Sequence, residues 1–232
     1  MVSASSFARA RPPRLLTSEP PDYWPPPEAA APSETEPQGS PVVPMFPLSD
    51  VWLFPGLALP LFIFEPRYRQ MVEDSLDCAG RIVIGTVQKG HECEMPGAPP
   101  IYPIAGMGEI VRHERRPDGC FVILLVGLAR VHTEEVPSER LYRQVRSRPV
   151  QEHPVEEPRE QDLRSRVLGA IRERAGEPQN LREDVPLAHL ADLLTLRLPL
   201  PHGVTCRLFG ELDLERRIEA VLVEHGRRPV KE

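Results

Sequence analysis

Lysine is almost missing from this 232-residue chain: Lys89 and Lys231 stand alone among 28 basic residues. A nucleotide-hydrolysing phosphate loop needs a lysine behind a glycine-rich turn, and neither lysine has that setting. A Ser–Lys nucleophilic pair would have to join Lys89 to Ser49, Ser75 or Ser165, and no Gly-x-Ser-x-Gly turn occurs. No Gly-x-Gly-x-x-Gly fingerprint marks a dinucleotide site. Long apolar runs are lacking too. The longest, Phe121 to Ala129, is less than half of the ~20 residues that a membrane-spanning helix needs. Cysteine is scarce, and Cys78, Cys93, Cys120 and Cys206 are irregularly spaced, which suits a reduced interior with buried thiols better than a disulfide framework. His91-x-Cys93 has no second pair to complete a metal site, and Cys120 reads as an inert thiol in an apolar strand. These absences point to no catalytic residues, no cofactor and no metal.

Charge of one sign is lacking as well. The chain nets −6, spread evenly over its thirds, so no segment has the basic footprint that phosphate binding requires. Arg143, Arg146 and Arg148 form one local basic stretch. A charged strand edge is one reading of it, and an RNA-binding patch is the other.

Proline, by contrast, is plentiful: 29 residues against roughly a dozen at average usage of ~5%. Residues 1–42 read as a disordered Pro-rich tail, with Tyr23 and Trp24 among the prolines. Its Ser/Arg-rich, acid-free start up to Glu19 also fits a transit peptide. From Val43 the texture changes. Met45–Leu48 and Leu57–Phe64 read as strands around a Phe54-Pro55-Gly56 turn. Both parities of Leu57–Phe64 are apolar, and Pro60 within it requires a bulge or an edge. Pro66 opens a helix of about three turns that ends near Gly80. Glu65 and Arg67 are expected to form a buried ion pair at its start. Arg81–Gln88, Ile104–Arg112, Cys120–Val126, Leu128–Thr133 and Leu141–Val150 read as further strands, with a bulge or bend at Gly127. After Pro158 the apolar period becomes helical, with helices over Leu163–Arg174, from Pro186, and from about Asp213 to Gly226. The reading is an α+β fold: a small β-barrel of about six strands with one inserted helix (43–153), then a helical subdomain (154–228).

The stretch VPMFPLSDVWLFPGLALPLFIFEPRYRQMVEDSL resembles the N-terminal, substrate-binding domain of Lon proteases. So do VILLVGLARVHTEEV, with Gly127 and Arg130, and LFGELDLERRIEAVL, with Arg217. The residues that carry the resemblance are Pro55, Gly56, Pro60, Glu65, Pro66, Arg67, Tyr68, Gly127, Arg130 and Arg217, and they are expected to be structural. The resemblance implies a PUA-like barrel and a standalone, bacterial, cytoplasmic form without ATPase or peptidase modules. The expected function is non-catalytic binding of unfolded or extended polypeptide, with a separate protease or chaperone as a further partner. The alternative is an RNA-binding PUA-like module. Trp52, Phe54, Leu57, Phe62 and Phe64 are the candidate polypeptide-binding residues, because an apolar patch rimmed by charge suits that role. No membrane partner is expected, and nothing in the sequence sets the oligomeric state.

Overall fold

The computed structural model describes residues 40–95, 97–175 and 184–228. The expected tail 1–42, with Tyr23 and Trp24, lies almost wholly outside the described residues. Six strands form one mixed sheet: β1 (Val42–Leu48), β2 (Ala58–Ile63), β3 (Arg81–Thr86), β4 (Ile104–Arg115), β5 (Phe121–Val136) and β6 (Arg143–Pro149). Their order is β2-β5-β4-β3-β1-β6, and β5 also pairs with β6. The pairings β5-β4-β3-β1-β6 therefore return to β5 in a closed circuit, with β2 outside it on the flank of β5. β1 and β3 are parallel, and all other neighbours are antiparallel. That parallel pair needs a crossover, which β2 and helix α1 (Pro66–Leu76) supply.

β5 merges two strands expected to be separate. It is 16 residues long, pairing with β2 through its first half and with β6 through its last. Gly127 lies opposite Gly108 and Ala129 opposite Met107, so Leu128 is an extra residue in β5. A one-residue insertion reverses the side on which every later residue points. It turns Arg130 onto the face that carries Ile123 and Leu125. Pro60 stays in unbroken register with Leu124, so its missing N–H is accommodated by the edge position of β2 and not by a bulge.

Alternation along the strands separates two cores. Val43 and Met45, Val83, Ala105 and Met107, Val131 and Val145 form one cluster to which all five strands of the circuit contribute. Phe46, Ile82, Ile84, Ile123 and Leu125 turn the other way and pack with Ile63, Tyr68, Met71 and Val72. The third core is helical: α2 (Arg159–Ala175), α3 (Leu187–Arg197), α4 (His202–Gly210) and α5 (Leu214–Gly226). Leu163, Val167 and Ile171 meet Leu190, Leu194, Ile218 and Val221 there. Asp213 caps α5 by accepting from the Arg216 N–H at 3.0 Å, which satisfies one of the free amides of the first turn. Helix α4 is absent from the sequence reading. Among the described residues no helix is long and apolar enough to cross a membrane.

Some local expectations are corrected. The Arg67 Nε–Glu65 Oε2 pair forms at 2.9 Å, but the Glu65 side chain is 40% exposed, so the pair is not buried. Cys78 and Cys93 are exposed, and Cys120 sits half-buried in the turn before β5, not inside it. All four cysteines are free thiols.

Candidate functional site

Of the five residues expected to meet polypeptide, the structure leaves two plainly exposed. Phe62 and Phe64 are 53% and 58% exposed, and their rings stack 6.1 Å apart at 28°. They share one side of the strand because residues two apart point the same way, while Ile63 between them is buried. Exposed Val122 lies opposite Phe62 on β5 and extends the patch. Sequence periodicity alone leaves both faces of Leu57–Phe64 apolar. The packing decides between them, with Leu59, Leu61 and Ile63 turned to the core.

The other three candidates lie elsewhere. Phe54 is 1% exposed, edge-on to Phe209 at 5.0 Å and 5.6 Å from the Arg130 guanidinium, so it has no surface to offer a ligand. Leu57 is half-buried and bonded into the Phe54-Pro55-Gly56 turn, its carbonyl accepting from Gly127 N–H at 2.9 Å. Trp52 is half-buried beside His202, with ring centroids 5.1 Å apart. His202 Nε2 is 3.0 Å from the Tyr102 hydroxyl, and Nδ1 contacts the Asp50 carboxylate. Asp50, Trp52 and His202, with Lys89, Glu92 and Leu200, line a cavity of about 350 Å3.

Of the motif residues, Gly56, Gly127, Arg130 and Arg217 build the joint between sheet and helices. Gly56 N–H donates to the Gly127 carbonyl at 2.8 Å, and a Cβ on Gly127 would stand 2.1 Å from the Phe54 carbonyl oxygen. Gly56 adopts φ +72°, and a Cβ there would collide with His189. Arg130, from the strand, donates to Asp192 at 2.7 Å, Glu152 at 2.6 Å and the Phe209 carbonyl at 2.9 Å. Arg217, from α5, donates to Glu152 at 2.7 Å and the Glu211 carbonyl at 2.9 Å. Two guanidiniums thus share two carboxylates in a network of zero net charge. Burial pushes the Glu152 carboxyl up, but Arg217 and Arg130 outweigh it and hold the group below the ordinary range. Burial likewise lowers the neighbouring His189 and keeps its ring neutral. Asp192 and Glu152 were not expected; each is an unremarkable acid until the fold brings it to a buried arginine.

The three arginines of the basic stretch share two glutamates. Arg143 is bidentate to Glu135 at 2.7 and 2.5 Å, which holds Glu135 below its ordinary range. Arg146 and Arg148 face Glu134 at 3.5 and 3.9 Å. β6 is not an edge, since β1 and β5 flank it. His91 Nδ1 lies 2.7 Å from Glu94, not beside Cys93.

The fold has counterparts. The model of the ATP-dependent protease La (LON) substrate-binding domain matches residues 42–224. The chain belongs to that family. It is 28% identical over 129 residues to the Lon protease of Xanthomonas oryzae, covering 56% of this chain and 15% of the relative. It is 26% identical over 195 residues to that of Anaeromyxobacter dehalogenans, covering 78% and 22%. The matched part is therefore less than a quarter of either relative's length. Among solved structures, the N-terminal domain of the Mycobacterium avium complex Lon protease superposes with TM-score 0.62 at 14% identity, covering 82% of this chain and 100% of that one. The Lon N-terminal domain protein from Xanthomonas campestris gives 0.53 at 22%, covering 79% and 98%. Both likenesses concern the fold.

Proposed function

We propose that this Lon-family substrate-binding domain is a non-catalytic module that holds unfolded or extended polypeptide in the cytoplasm for a separate protease or chaperone. The closed strand circuit is read as a PUA-like barrel, and Phe62 and Phe64 as the docking patch. The observation that carries this reading is the pair of stacked, half-exposed rings on an edge strand, where an apolar patch has no structural use. An extended chain can lay side chains across such a patch while its backbone follows the strand. Covering the exposed part of both rings is worth about 2–3 kcal/mol.

Fluorescence anisotropy with a labelled, casein-like unfolded chain tests the proposal. Saturable binding at micromolar concentration is expected. Phe62→Ser with Phe64→Ser should weaken it by roughly thirtyfold or more, with little loss of Tm because both side chains are exposed. Flat titrations up to high micromolar concentration would sink the reading. Neither ATP turnover nor casein cleavage is expected from the pure protein.

A further inference from the structure

The outer edge of β2 carries a defined set of backbone groups. Gly127 N–H donates to the Leu57 carbonyl at 2.9 Å, so Leu57 turns its main chain toward β5. From there β2 runs in unbroken register, Ala58 opposite Val126 through Ile63 opposite Phe121. In an antiparallel pair the main-chain groups of successive residues alternately face the neighbour and face away. Leu59, Leu61 and Ile63 therefore bond to β5, while Ala58, Pro60 and Phe62 direct theirs outward. Among the described residues β5 is the one strand beside β2. The edge thus presents two N–H donors, from Ala58 and Phe62, and three carbonyl acceptors, and no other described residue bonds to them. The donor that Pro60 lacks falls on this outward side, which leaves the β5 ladder whole.

The same pattern discriminates between occupants. In a two-fold β2–β2 pair centred on Pro60, proline meets proline and both central hydrogen bonds are lost. A different chain loses only one, because its own N–H still reaches the Pro60 carbonyl. Residues of that chain opposite Phe62 and Pro60 lie on the face of Phe62 and Phe64, and those between them lie beside half-buried Leu59 and Leu61.

We infer that a polypeptide substrate adds to the six-stranded sheet as a further strand, antiparallel to β2 and bonded to Ala58, Pro60 and Phe62. The substrate class is a strand-forming segment with an apolar side chain and a free N–H at every second residue. The inference rests on the polypeptide-binding reading and deepens it, adding main-chain pairing to contact with the rings.

The probe is acetyl-Lys-Val-Ser-Phe-Ser-Val-Lys-amide, titrated calorimetrically into the dilute full chain, with single N-methylation of each central residue. Methylating either valine or the phenylalanine should weaken binding tenfold or more, and methylating either serine should leave it within twofold. Pro60→Val restores an outward donor and should tighten the parent peptide severalfold. Hydrogen exchange at the Ala58 and Phe62 amides should slow on binding, with little change at Leu59 and Leu61, which are already bonded. Any other methylation pattern, unchanged affinity in Pro60→Val, or unprotected Ala58 and Phe62 amides in the complex overturns the pairing and leaves the patch reading standing. So does a casein-like chain that binds when the peptide does not. Protection of both amides that grows with protein concentration before peptide is added shows β2–β2 pairing and overturns the inference as well. If neither ligand binds, both readings fall.

Discussion

Arg130 and Arg217 hold full charges at side-chain exposures of 1% and 0%. Each is stable there because carboxylates and backbone carbonyls surround it. Arg130 also lies over the Phe209 ring at 4.9 Å. Breaking such a set by removing one member leaves an uncompensated charge, which costs about 3–5 kcal/mol. Arg217→Met should show that loss in urea denaturation, whereas Arg217→Met combined with Glu152→Gln should lose less than the sum of the two single changes. Removing a cation and an anion together restores neutrality. Gly127→Ala is a second sharp test. Its methyl would fall 2.1 Å from the Phe54 carbonyl oxygen, so the turn must move away from the strand, at a cost of about 1–3 kcal/mol or more. A Gly127→Ala protein with unchanged stability would contradict the close packing of turn on strand.

At the scale of elements, β2 sets the balance between docking and self-association. It is paired on one side by β5 and terminates the strand order, and an exposed edge strand is a template for further pairing. Exposed Pro60 at its middle offers no N–H, which blunts that edge without covering the phenylalanines. Pro60→Val should therefore leave the fold intact but raise light scattering on concentration. If scattering is unchanged, the proline has no protective role.

For the molecule as a whole, the joint makes stability depend on pH in two stages. His189 is lowered in the folded state, so the unfolded chain takes up its proton first. Stability is full above the ordinary histidine value of about 6.5 and is lost as pH falls from there through the folded value. Glu152 is lowered as well. Its contribution is present above about 4.3 and disappears as acid titrates it through its folded value. Melting temperatures across pH 8 to 3 should fall gently at first and then steeply. His189→Gln should remove the first fall and retain the second.

The amino-acid sequence by itself determined the order of elements and most of their limits. Those features come from nearest neighbours: the β-branched run at Arg81, the Pro66 helix start, the Asp213 cap and the helical apolar stripes. It also carried the motif residues, without saying why they recur together. Tertiary structure decided everything that depends on partners distant in the chain. Leu57–Phe64 is apolar on both sides, and only packing against Tyr68 and Met71 determines that Phe62 and Phe64 remain outside. Phe54 looks equally available in the sequence, yet Phe209 and Arg130 enclose it. Helix α4 has glycines at Gly203 and Gly210 and too few residues for a clear period, and it is held by its neighbours more than by its own propensity. One extra residue at Leu128 reverses the side of the strand on which Arg130 points, and a register shift of that kind exists only once β4 lies alongside.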